Sequence, residues 1–189
     1  MTLGPGPETA ETPDPGSGSL RARTSALMGG VFEPATIRTA RLVLEPAGAD
    51  VARAVLAGAG PPAARGWPGP DALQAFRFAV DFGGDPGWLV VRDGLVVGEC
   101  GTHGPPDPDG VVEIRYGIAV AERGQGLGTE ACAALTGWLL GRPGVSCVAA
   151  STDAAANSAS RRVLERSGFV LDRLDGPLVW YRKERQPAG

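Results

Sequence analysis

Arg123-Gly124-Gln125-Gly126-Leu127-Gly128-Thr129-Glu130 stands between a predicted strand and a predicted helix whose apolar stripe is Ala131, Leu135, Trp138 and Leu139. A helix N-terminus leaves its first amide N–H groups without partners and carries about half a positive charge. Glycines at 124, 126 and 128 remove side chains that would hold an anion away from those amides, and Arg123 adds a cation beside them. The implied ligand is a diphosphate or a similar group. A tight turn alone also accounts for a lone glycine-rich stretch, so context has to decide.

Towards the N-terminus, Trp88 to Arg92 and Leu95 to Cys100 flank Asp93-Gly94, a strong hairpin signal, and Val111 to Val120 follows as a long strand. Further back, Thr36 to Glu45 alternates apolar with polar residues and predicts one half-buried strand. Two helices come between. The first is capped by Asp50 and carries Val51, Val55 and Leu56; the second starts at Asp71 and carries Leu73, Phe76, Phe78 and Val80. Towards the C-terminus come a helix from Gly126 to Leu140, a strand from Val145 to Ser151, a helix from Asn157 to Arg166, and strands at Phe169 to Leu174 and Leu178 to Arg182. The class is mixed α/β (α+β): about seven strands and four helices, antiparallel in the first half and βαβ-like in the second.

The chain has 189 residues, 43% of them hydrophobic, enough for one domain with its own core. Its first 33 residues, rich in Gly, Pro, Ser and Thr, predict a disordered tail. The folded domain is expected over 34–185, with a short tail at 186–189. Met28 opens a more globular sequence, so initiation there is a further expectation. A formal charge of −3 gives no broad footprint for a phosphate backbone, which argues against nucleic acid. Three cysteines without CxxC spacing and a single histidine predict neither a metal site nor disulfides, and point to a reducing, cytoplasmic compartment. Apolar runs fall short of the roughly 18–20 residues that span a bilayer, so no membrane association is expected.

Gly126-x-Gly128-x-x-Ala131, with Asp153 after the next strand, also fits a dinucleotide fingerprint. Against it, the turn follows a meander instead of opening the sheet, and about 60 residues are too few for a doubly wound domain. Three motifs taken together are more specific: Glu113 to Val120; Arg123-x-x-Gly126-x-Gly128-Thr-Glu-Ala131; and Asn157-x-x-Ser160-x-x-Val-Leu-Glu165-x-x-Gly168-Phe169. In this order they resemble the GNAT superfamily of acyl-CoA-dependent N-acyltransferases, and within it the Rim-type branch named for ribosomal-protein N-terminal acetyltransferases. The resemblance covers about residues 36–184.

This resemblance implies acetyl-CoA as cosubstrate, held where two parallel strands splay. Pantetheine would lie along Ile118, Ala119 and Val120, and the pyrophosphate on the amides from Arg123 to Thr129. Asn157 and Ser160 would stand near pantetheine and sulfur, although both also suit ordinary helix capping. Many relatives carry a tyrosine acid later in this helix, where Leu164 stands here. A thiol with pKa about 8.5 leaves readily as thiolate, whereas an alkylamine is mostly protonated at neutral pH, so a base matters more than an acid. Glu113 is the implied base, acting directly or through water, with Glu99 a weaker candidate and His103 a residue that could line the acceptor site. The cysteines read as small buried apolar residues, which favours direct attack by an amine over an acyl-enzyme. The expected partner is an amine acceptor, a protein N-terminus or a small molecule, with a homodimer in keeping with relatives. The rival from another class is a non-catalytic acyl-CoA-binding module.

Overall fold

A computed structural model describes residues 33–155 and 158–186. Thr36 to Glu45 forms two strands, β1 (Ile37–Arg38) and β2 (Val43–Pro46), because Thr39 folds the chain back between them. Its Oγ1 accepts the Leu42 amide at 2.9 Å while its own amide donates to the Leu42 carbonyl at 2.9 Å. This local alternative to ladder bonding is what interrupts the expected single strand.

Helices α1 (Ala49–Leu56) and α2 (Pro70–Phe82) follow, starting from Gly48 and Gly69 without side-chain caps, so Asp50 lies inside the first turn of α1. The stripe that α2 buries is Ala72, Phe76 and Ala79. Phe78 stays 59% exposed, and Leu73 and Phe82 are exposed beside it. Strands β3 (Trp88–Arg92) and β4 (Leu95–Thr102) join through Asp93 and Gly94 at φ 50° and 78°, the left-handed pair that a two-residue hairpin requires.

Strand β5 (Val111–Ile118) completes the meander. A 3-10 turn at Val120–Glu122, helix α3 (Leu127–Leu140), β6 (Cys147–Asp153), α4 (Ser158–Arg166), β7 (Val170–Asp175) and β8 (Leu178–Glu184) complete the order. The sheet has eight strands in the order β1-β2-β3-β4-β5-β6-β8-β7, with β5 and β6 parallel. Ala52, Val55 and Phe76 cover Leu89 and Val96 on one face. Leu127, Leu135 and Leu139 of α3 and Leu164 of α4 pack on Trp88, Val112 and Val148 on the other. No helix among the described residues is long and apolar enough to cross a membrane.

Candidate acyl-CoA site

The loop after β5 turns twice through the left-handed region, at Gly124 (φ 79°) and Gly126 (φ 78°), and delivers the chain into α3 without a side-chain cap. A side chain at either position would be strained as well as in the way. Among the described residues, the amides from Gly124 to Thr129 donate to no protein acceptor, and the first bond back to the loop is Glu130 N–H to the Gly126 carbonyl at 3.1 Å. Leu127 sends its side chain into the core. What Leu127, Gly128 and Thr129 offer at this helix end is therefore main chain, a set of donors suited to a diphosphate.

The surrounding side chains brace this loop. Arg123 Nε donates to the Ile118 carbonyl at 3.0 Å, and Gln125 is held between Arg92 (2.7 Å) and Glu122 (3.1 Å). Arg41, from the turn before β2, donates through Nη1 to the Gln125 carbonyl at 2.9 Å and through Nε to Glu130 at 2.7 Å. Thr39 Oγ1 and the Arg41 amide also donate to Glu130, at 2.6 and 2.9 Å. Partial burial raises the Glu130 carboxyl, but these hydrogen bonds and the Arg41 charge outweigh it and hold the group below the ordinary carboxylate range. No sequence signal marks Arg41 or Glu130 for this role, since nearly 90 residues separate them.

Strands β5 and β6 pair only from Val111/Cys147 to Glu113/Ala149. Beyond that point β5 stays with β4 as far as Ile118, β6 stays with β8 as far as Asp153, and the sheet opens between them. The Glu113 carbonyl accepts from His103 and the Ala119 amide donates to Val97, both on the β4 side. By the alternation of the ladder, the main-chain groups of Tyr116 and Ile118 face the opening. Ala119 departs from the expectation for it, because its amide is bound to Val97 and its carbonyl accepts from Glu122. Val120 sits in the 3-10 turn with its side chain exposed.

A cavity of about 920 Å³ runs from this opening to α2, with Tyr116, Ser151 and Ser160 on the strand side and Asp71 and Phe78 on the helix side. The Tyr116 hydroxyl lies 2.8 Å from Ser160 Oγ and donates to the Ser160 carbonyl at 3.2 Å. Burial pushes the Tyr116 phenol well above its ordinary range, more than the Ser160 hydrogen bond lowers it, so it stays protonated at neutral pH. Sequence reasoning did not single Tyr116 out. Leu164, at the place of the family tyrosine, is fully buried in the core.

Glu113 ends the paired part of the ladder and does not line the cavity; its Oε1 accepts from Ser151 Oγ, which does, at 2.9 Å. Glu99 is 6% exposed, with Trp67 Nε1 donating to it at 2.6 Å. Burial pushes its carboxyl up to about 7, against the lowering by Trp67 and Arg115. His103 lines the cavity from the β4–β5 loop. Asn157 lies outside the described residues. The three thiols are buried and unpaired, and burial raises each above its ordinary range, which makes them poor nucleophiles. Among the described residues no group of three metal-ligating side chains comes together.

A mixed sheet whose glycine-rich turn follows its fifth strand is not a doubly wound dinucleotide fold. An opened parallel strand pair lies instead beside a helix N-terminus without a side-chain cap, which leaves main-chain donors free for an anion. Residues 41–170 match the model of the acetyltransferase (GNAT) domain. Over 115 residues the chain is 31% identical to the uncharacterized N-acetyltransferase YjdG of Bacillus subtilis, covering 56% of this chain and 68% of that one. The acetyltransferase from Agrobacterium tumefaciens superposes with a TM-score of 0.55 at 25% identity, over 81% of this chain and 96% of that one. RimL, a ribosomal alpha-N-protein acetyltransferase in complex with coenzyme A, shares the fold at 16% identity and a TM-score of 0.59, over 79% and 98% of the two chains. The chain belongs to the GNAT acetyltransferase family, and acetyl-CoA is its cosubstrate.

Proposed function

We propose that the protein transfers the acetyl group of acetyl-CoA to a primary amine, either a protein N-terminus, as the Rim-type branch would, or a small molecule, by direct attack in a ternary complex. One observation carries this reading: the opening between β5 and β6 continues into a cavity of about 920 Å³ lined by residues of α2, which gives a second substrate access to the acyl end of the first. Bringing two reactants together in this way supplies much of the rate by itself.

The amine nitrogen forms its bond to the acetyl carbon as the carbon–sulfur bond breaks, and coenzyme A departs as thiolate. The amine's proton passes to Glu113 through the Ser151 hydroxyl, which lines the cavity and already donates to that carboxylate. Ser160, held by Tyr116, stands beside the sulfur and donates to it as charge develops there. Ile118 and the amides from Gly124 to Thr129 hold the cosubstrate, and Asn157 is the further residue assigned to pantetheine. The catalytic unit is residues 34–185.

Thiol release from acetyl-CoA, followed with a panel of amines and N-terminal peptides and repeated with Glu113→Gln, tests the proposal. Turnover that falls by about 10² or more in the variant is the expected result. Coenzyme A binding with no turnover for any acceptor would instead establish a non-catalytic binding module.

A further inference from the structure

We infer that the acceptor carries a carboxylate as well as its reacting amine and that Arg115 binds this carboxylate, an inference that rests on the acetyl-transfer reading above. Arg115 pairs with Gly101 on β4, two residues before Gly117, which pairs with Glu99 in the row of Leu89. It therefore projects from the α1/α2 face of the sheet, the side opposite Tyr116. Its guanidinium lies close to Gly101, where a Cβ would come within 3.0 Å of Nη2 and 3.2 Å of Cζ. A residue without a side chain is what allows this close approach.

The guanidinium is incompletely matched. Nη2 donates to the Pro86 carbonyl at 2.7 Å, one bond among five possible donors. Among the described residues no carboxylate lies within ion-pair distance of it. Glu99 and Asp85 are near enough only to act through their field, and Glu99, with its carboxyl raised to about 7, is close to half neutral at neutral pH. The guanidinium is half-buried with donors to spare, and a carboxylate entering the cavity would complete the planar two-point pair that arginine favours.

Arg115 is also the only arginine or lysine lining the cavity among the described residues, whereas Asp71, Asp85 and Asp153 line it too. Such a wall offers carboxylates to an ammonium group and one guanidinium to an acid, so an acceptor that carries both groups finds a partner for each. Arg115 and the residues that border the opening, Tyr116, Ser151 and Ser160, line the same cavity, so an acceptor seated there can reach both. Its carboxylate can be that of an α-amino acid or the N-terminal Asp or Glu side chain of a peptide.

The test compares kcat/KM for free amino acids with that for their carboxamides, and for peptides starting with Asp with that for peptides starting with Asn. The acid is expected to exceed its neutral twin by about 10- to 100-fold in one or both arms, the arm that responds identifying the source of the carboxylate. In Arg115→Gln the acid-to-amide ratio should collapse towards one through the KM for the acid, with coenzyme A binding retained as the sign of a folded protein; Arg115→Lys should keep part of the ratio. Equal rates for acid and amide in the wild type, or a ratio unchanged in Arg115→Gln, would overturn the inference. Were no amine acetylated at all, the acetyl-transfer reading would fail separately. Calorimetry of amino acid against carboxamide on the coenzyme A complex would then decide: acid binding no tighter than amide binding overturns the inference, and tighter binding lost in Arg115→Gln upholds it.

Discussion

The Tyr116 hydroxyl sits 2.8 Å from Ser160 Oγ, joining β5 to α4 over 44 residues of sequence. The pair joins the strand that borders the opening of the sheet to the first turn of the helix, while Leu164, later in that helix, is closed into the core.

Removing either hydroxyl should lower kcat while leaving the KM for acetyl-CoA nearly unchanged. Ser160→Ala and Tyr116→Phe are each expected to cost about 10-fold, the scale of one hydrogen bond to a developing charge. Because the two hydroxyls form one unit, the double variant should lose much less than the product of the single losses. Leu164→Tyr should not restore the rate, and overpacking at that site should destabilise the fold by about 1–3 kcal/mol in denaturant titration.

Gly126 enters α3 at φ 78°. Gly126→Ala places a Cβ in that left-handed turn at a cost on the order of 1 kcal/mol or more. Much of that strain falls on the loop geometry that presents the amides, so coenzyme A should bind about 10-fold more weakly by calorimetry. Gly137, inside α3 with no atom near its missing Cβ, is the control: Gly137→Ala should leave the affinity alone and add a few tenths of a kcal/mol or more to stability.

Arg41 braces the glycine-rich loop through Gln125 and Glu130 and adds a guanidinium to it. Arg41→Gln is expected to weaken coenzyme A binding severalfold. Since part of that loss is electrostatic and half-exposed, the gap between variant and wild type should narrow as salt is raised from about 0.05 to 0.5 M. A gap that is independent of salt would assign Arg41 a bracing role alone.

Glu99 has its carboxyl raised from 4.5 to about 7 by burial, so the folded state holds a proton that the unfolded chain releases at lower pH. Its contribution to stability is complete below pH 4.5 and is lost as pH rises through 7. A shift of this size corresponds to about 3 kcal/mol. Glu99→Gln keeps an oxygen to accept from Trp67 and cannot ionise. The difference in stability between variant and wild type should therefore grow in favour of the variant between pH 5 and pH 8, measured by denaturant unfolding at each pH. A difference that stays flat would show the carboxyl to be ionised across this range.

Much of the site was legible because its chemistry is local. Free amides need a helix start, and close approach needs glycine, so Gly124, Gly126 and Gly128 could be recognised without knowing what surrounds them. The Asp93-Gly94 hairpin was legible for the same reason, a backbone requirement met within two residues. By contrast, Thr36 to Glu45 read as one strand because alternation is blind to a threonine that turns the chain. Leu73, Phe76, Phe78 and Val80 marked the helix, yet helical rotation buries Ala72, Phe76 and Ala79 and leaves Phe78 at the cavity.

By itself the sequence determined the order of elements apart from the break in the first strand, the glycine-rich turn before α3 and the family, because each rests on patterns local to short stretches of chain. Only the tertiary structure decided that Arg41 meets Glu130, that Ser151 links Glu113 to the cavity, that Tyr116 meets Ser160, and that Arg115 lies against Gly101 with donors to spare. These are contacts across strands and between sheet and helix. They follow from sheet order and from which face each side chain takes, and a shift of one residue in register would have reversed every one of those faces.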